Sequence, residues 1–97
     1  MPRRAIFVRP GETFDVALIE PATSGYVWNL VWSEPGLEFV RSEVEPAARR
    51  RLGARSVRRF WLRALVIGTS HASFELRRAW ESEPVERASF EVNVVEE

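Results

Sequence analysis

Alternation with a period of two is the feature that most narrows what this chain can become. In Thr13–Ile19, the residues Phe14, Val16 and Leu18 point one way while Asp15 points the other. Near the end, Phe90, Val92 and Val94 alternate with Glu91 and Asn93. Successive side chains of a strand project to opposite faces, so this pattern predicts strands with one face in a core and one in water. Segments rich in aromatic or β-branched residues run over Tyr26–Trp32, Leu37–Val44, Val57–Ile67 and His71–Arg77, bounded by Gly, Pro or Ser. Ala5–Val8 adds a short edge strand, which Pro10 and Gly11 end sharply.

One stretch departs from this pattern. Glu45–Leu52 holds good helix formers with Pro46 near its start, but Gly53 stops it. It reads as a long connection with one helical turn. About seven short strands without helical crossovers predict an all-β fold, an immunoglobulin-like antiparallel β-sandwich. A chain of 97 residues has room for one such core, so residues 1–97 are expected to form a single domain. Trp28, Leu30 and Trp32 share one strand parity, as do Phe60 and Leu62, and both sets are expected in the core. Trp61 falls on the opposite face with Arg59 and Arg63, where arginine stacking on a solvent-facing ring is expected.

Composition removes several function classes. The chain has no cysteine, which excludes disulfides, thiolate metal sites and cysteine nucleophiles. His71 is the only histidine and has no recognisable nucleophile or metal-ligand partner near it in sequence. It is expected at the surface or an edge, and neither an enzyme nor a cofactor or metal is expected. All 14 basic residues are arginine, and seven of them fall between Arg49 and Arg63 without an intervening acid. Such a run with interleaved aromatics suits single-stranded nucleic acid. The formal net charge is zero, however, and glutamates elsewhere can pair across strands, so a solvated, partly paired face is expected instead. No segment is long and apolar enough to span a membrane, and the residues after Met1 lack a signal-peptide run. Taken as the natural start, Met1 implies a cytoplasmic protein; a monomer is expected, with pairing through the edge strand Ala5–Val8 left open.

Two turn-forming clusters remain, each joined to a strand and each with an aromatic at the junction: Pro21–Trp28 and Arg77–Glu81. Loops displayed on a rigid sandwich commonly carry recognition. Thr23-Ser24-Gly25-Tyr26-Val27-Trp28 resembles the second half of the Asn-Pro-Thr-Thr-Gly-Phe/Tyr-x-Trp signature of the chagasin family, inhibitors of papain-like cysteine proteases. Leu52-Gly53-Ala54 resembles the start of that family's Gly-x-Gly-Gly loop, and Arg78-Ala79-Trp80 resembles its Arg-Pro-Trp loop. The resemblance runs from about Gly11 to Val95, with all three loops in order.

The resemblance implies that three loops at one end of the sandwich enter a papain-like protease cleft and block it without being cleaved. Thr23, Ser24 and Gly25 would approach the catalytic cysteine, with Tyr26 beside them. Gly53, Ala54, Arg55 and Ser56 would form the second loop, and Arg78, Ala79 and Trp80 the third, with Trp80 as aromatic anchor. Three departures stand out. Pro21-Ala22 replaces Asn-Pro, Arg55-Ser56 replaces Gly-Gly, and Ala79 replaces the proline, which predicts a looser third loop. The alternative reading is an interaction module of this fold that has lost inhibition.

Overall fold

The structure is a computed structural model that describes residues 4–21, 25–45 and 55–96. Its strands are β1 (Arg4–Val8), β2 (Thr13–Pro21), β3 (Val27–Ser33), β4 (Leu37–Glu45), β5 (Arg55–Ala64), β6 (Gly68–Arg77) and β7 (Glu86–Val94). They form a four-stranded sheet, β1-β7-β6-β3, packed on a three-stranded sheet, β2-β5-β4. The period-two segments therefore become strands as expected. β5 ends earlier than the apolar run through Ile67, because Leu65–Ile67 leaves the sheet to turn toward Gly68, whose φ is +127°. Glu45 closes β4, and the rest of the anticipated helical turn lies outside the described residues.

The antiparallel expectation fails at one edge. β1 runs parallel to β7, with Ile6 opposite Val92 and Val8 opposite Val94. After β1 the chain turns at Pro10 and Gly11, the Glu12 amide donating to the Arg9 carbonyl, and crosses to the other sheet. β1 and β2 thus never meet as a hairpin, and β1 joins an edge whose direction matches its own.

The inward rows of both sheets make the core. Val16, Leu18, Phe60, Leu62, Ala64, Phe74, Leu76, Phe90, Val92 and Val94 are buried, and Trp28 is buried with them. Phe74 sits at the centre. Its ring lies 4.8 Å from that of Phe60 and 5.6 Å, edge-on, from that of Phe90. Burying one such side chain is worth about 1.5–3 kcal/mol, and each offset aromatic pair adds roughly 0.5–1.5 kcal/mol.

Trp32 is a correction. It was expected beside Trp28 and Leu30, yet it is 53% exposed. The pairing of β3 with β6 slips between Leu30 and Trp32, so a bulge breaks the alternation and turns Trp32 out of the core. On the outer face of the three-stranded sheet, cross-strand pairing is found: Arg59 bonds Asp15 at 2.7 Å and approaches Glu45 at 3.4 Å, while Arg63 meets Glu38 at 3.1 Å. The hydrogen bonds with Asp15 and then Glu45 raise the Arg59 pKa further above its ordinary value. Trp61 is indeed covered by an arginine, but by Arg41 of β4, directly opposite it, with the guanidinium 3.8 Å from the ring centre.

Two substitutions separate core from bulge. Leu62→Ala should cost about 3 kcal/mol by urea denaturation, because it leaves a cavity among fully packed neighbours. Trp32→Ala should cost under about 1 kcal/mol, as expected of a side chain turned to solvent.

Candidate functional site

The strand ends that flank three connections, β2–β3, β4–β5 and β6–β7, lie at one end of the sandwich. The sheet registers force this. Pro21 lies opposite Arg55, which sets the first connection beside the second. Val27 lies opposite Arg77, which sets the first beside the third. Leu76 opposite Glu86, with the Val85 amide donating to the Leu76 carbonyl at 2.9 Å, closes the base of the third.

Beneath the connections the core ends in a buried ion pair. Glu20 is inward-facing in β2 and only 5% exposed. Its Oε1 accepts from Arg58 Nε at 2.9 Å, and its Oε2 accepts from the terminal guanidinium nitrogen of Arg58 at 3.0 Å. Oε1 also accepts the backbone amide of Trp28 at 3.0 Å, while Trp28 Nε1 donates to the Ile19 carbonyl at 2.9 Å. One carboxylate thus ties together the strand before the first connection, the strand after it, and the strand after the second. Arg58 was expected on the solvated basic face. Its parity instead places it in the inward row of Phe60 and Leu62, where it needs the partner that Glu20 supplies.

The first and third connections touch directly. Gly25 has φ +84°, a left-handed conformation that side chains oppose. The indole of Trp80 lies over it, so that a Cβ at position 25 would sit 3.6 Å from Trp80 Cη2. The guanidinium of Arg78 stacks on Tyr26 at 4.3 Å and lies 5.7 Å from the Trp80 ring. Trp80 itself is 74% exposed. Gly25, Val27, Asn29, Ala79 and Trp80 line a shallow groove at this end.

The third connection is firmer than its missing proline predicts. The Glu81 amide donates to the Arg78 carbonyl at 3.0 Å, and its carboxylate accepts from the Arg78 amide at 3.3 Å. Arg77 donates from its guanidinium to the Glu81 carbonyl at 2.7 Å. A turn closed on both sides by Glu81 holds Ala79 and Trp80 at its tip.

Of the anticipated site residues, Gly25, Tyr26, Arg78, Ala79 and Trp80 are brought together. Arg55 is exposed at the first position of β5. Ser56 is a correction: it is buried and opposite Glu20, because the strand already begins at Arg55 and its second residue turns inward. Thr23, Ser24, Gly53 and Ala54 lie outside the described residues. Sequence reasoning passed over Glu20, although its parity with Val16 and Leu18 marks it as inward. His71 lies toward the opposite end, its Nδ1 3.0 Å from Glu34 Oε1 and its Nε2 3.9 Å from Glu91. It has carboxylate partners after all, and its backbone amide also donates to Glu34 at 2.6 Å. Among the described residues, no group of three or more histidines and carboxylates could hold a metal ion, and no helix is long and apolar enough to cross a membrane.

At the end of the sandwich where these strand ends meet, Trp80 stands exposed beside Gly25. The sequence model of the Chagasin family peptidase inhibitor I42 matches residues 8–94, and the chain belongs to this family of peptidase inhibitors. Its class is that of inhibitors rather than enzymes. In fold it is similar to the crystal structure of the cysteine protease inhibitor EhICP2 from Entamoeba histolytica, with TM-score 0.79 and 19% identity over 96% of this chain and 87% of that one. It is also similar to the solution structure of amebosin, with TM-score 0.73 and 22% identity over 94% of this chain and 88% of that one. No curated protein sequence matches the chain significantly.

Two measurements test the site's architecture. Gly25→Ala should cost about 1–2 kcal/mol in denaturant melts, since the space is adequate and only the left-handed backbone is strained. Arg58→Met should cost roughly 3–5 kcal/mol by leaving Glu20 buried without its partner, and the double variant Glu20→Leu with Arg58→Met should recover much of that loss.

Proposed function

We propose that this protein inhibits papain-like cysteine proteases reversibly and competitively, by placing the loop end of the sandwich in the active-site cleft. The observation that carries the reading is the placement of Trp80. A large aromatic held in the open at the tip of a closed turn, resting on Gly25 of a neighbouring connection, has no role in the core and suits burial against a partner wall. Aromatic anchors of this kind dominate protein interfaces, and truncating one commonly costs about 2 kcal/mol or more. Gly25 lets the Trp80 indole rest directly on the backbone of the first connection, since no side chain stands there. Membership of the chagasin family and the likeness to a cysteine protease inhibitor support the choice of partner.

Mechanistically, the inhibitor needs only to fill space and resist cleavage. Glu20 near the end of β2 holds the start of β3 through the Trp28 amide and the start of β5 through Arg58. Arg55, exposed and opposite Pro21, would pair with a carboxylate on the cleft rim.

Titrating papain at fixed substrate should give saturable competitive inhibition by the wild-type protein. Trp80→Ala should raise the inhibition constant about 30-fold, the equivalent of about 2 kcal/mol, with an unchanged melting transition. Absence of inhibition at tens of micromolar, or a Trp80→Ala variant as potent as wild type, would overturn the reading.

A further inference from the structure

Arg78 lies at the site without taking the pose of a residue that awaits a partner. Its guanidinium faces Tyr26 at 4.3 Å on one side, with the Trp80 ring 5.7 Å from it. Tyr26 is partly buried and packed against the core. The Arg78 backbone is fastened to Glu81 through both its amide and its carbonyl, and the Glu81 carboxylate reaches to 3.8 Å from the guanidinium. The order from inside to outside is therefore core, Tyr26, Arg78, Trp80. Trp80 also rests on Gly25, so the stack joins the first connection to the third.

We infer that Arg78 is a positioning residue: it holds the Trp80 indole in its binding pose before any partner arrives, and does so through planar stacking on Tyr26. An exposed tryptophan on a loop without such support would adopt several rotamers, and ordering it on binding would consume part of the affinity. A guanidinium serves where an ammonium does not, because it is planar and weakly hydrated and stacks on an aromatic face. Support from Glu81 and Arg78 also gives a reason why a loop with Ala79 at its tip keeps its shape. The inference rests on the proposed cleft occlusion for its effect on inhibition, but the ordering of Trp80 is a property of the free protein.

The test has two arms. In the first, papain inhibition is measured for Arg78→Met and Arg78→Lys, each in the wild-type and Trp80→Ala backgrounds. Arg78→Met should raise the inhibition constant about tenfold in the wild-type background, and by less than about twofold once Trp80 is gone. Arg78→Lys should behave more like Arg78→Met than like wild type. An equal loss in both backgrounds would mean that Arg78 meets the protease directly, and would overturn the inference. In the second arm, nuclear magnetic resonance follows the Trp80 indole N–H of the free protein, assigned by its disappearance in Trp80→Phe. Its heteronuclear NOE should fall in Arg78→Met and in Tyr26→Leu, whereas an unchanged value in both would overturn the inference without reference to any protease. If wild-type protein fails to inhibit papain, cleft occlusion falls, and the second arm still decides whether Arg78 orders Trp80.

Discussion

The rest of the structure hangs on a carboxylate placed where a core residue would be expected. Glu20 continues the inward row of Val16 and Leu18, and Arg58 continues that of Phe60 and Leu62, so the two charges meet between the sheets at the end of the core. Neither ion is tolerable there alone. Together they form a two-pronged pair, and the carboxylate also accepts the Trp28 amide. Apolar residues of similar volume could give equal or greater stability, but they would not direct three strand ends to one point. The pair fixes direction: β2, β3 and β5 must arrive together, and the connections they root must then lie side by side.

Outward from that point, polar and aromatic contacts take over from burial. Tyr26 packs on the core, Arg78 on Tyr26, and Trp80 over Gly25, while Glu81 closes the turn that carries them. This graded arrangement reconciles two opposing needs. A binding anchor has to remain in water until its partner comes, yet an anchor free to wander binds weakly. A guanidinium held beside a ring, with a glycine beneath it, steadies the ring while leaving its outer face open, which burial in the core could not do.

The opposite end of the molecule uses the same chemistry for a different purpose. Glu34, in the connection between β3 and β4, accepts from the His71 amide and meets its imidazole, which binds that connection to β6. Bulges in β3 at Leu30–Trp32 and in β4 at Phe39–Arg41 interrupt the alternation of the two free edges on that side. Bulged edges offer a poor template for further strand addition. The inhibitor-family assignment thus sits on a sandwich whose β3 and β4 edges are interrupted and whose β6–β7 connection is braced by Glu81.

Much of this was written in local pattern. The alternation of Phe14, Val16 and Leu18, and of Phe90, Val92 and Val94, determined strands and their inward faces by itself, because side-chain direction in a strand follows from backbone geometry alone. The same rule covers Glu20 and Arg58, but their charge argued for the surface, so Glu20 was passed over and Arg58 was assigned to the solvated face. Motif order along the chain singled out three connections, but not that Ser56 would turn inward beside one of them. Trp32 depended on the slip between two paired strands, which no single segment encodes. The parallel docking of β1 on β7 depended on which edge was open once the sheets had formed. The brace of Glu81, Arg78 and Tyr26 around Trp80 needed the register of Val27 against Arg77. Those features are decided by partners distant in sequence, since a hydrogen bond or a stacking contact exists only where the completed fold brings both groups within reach.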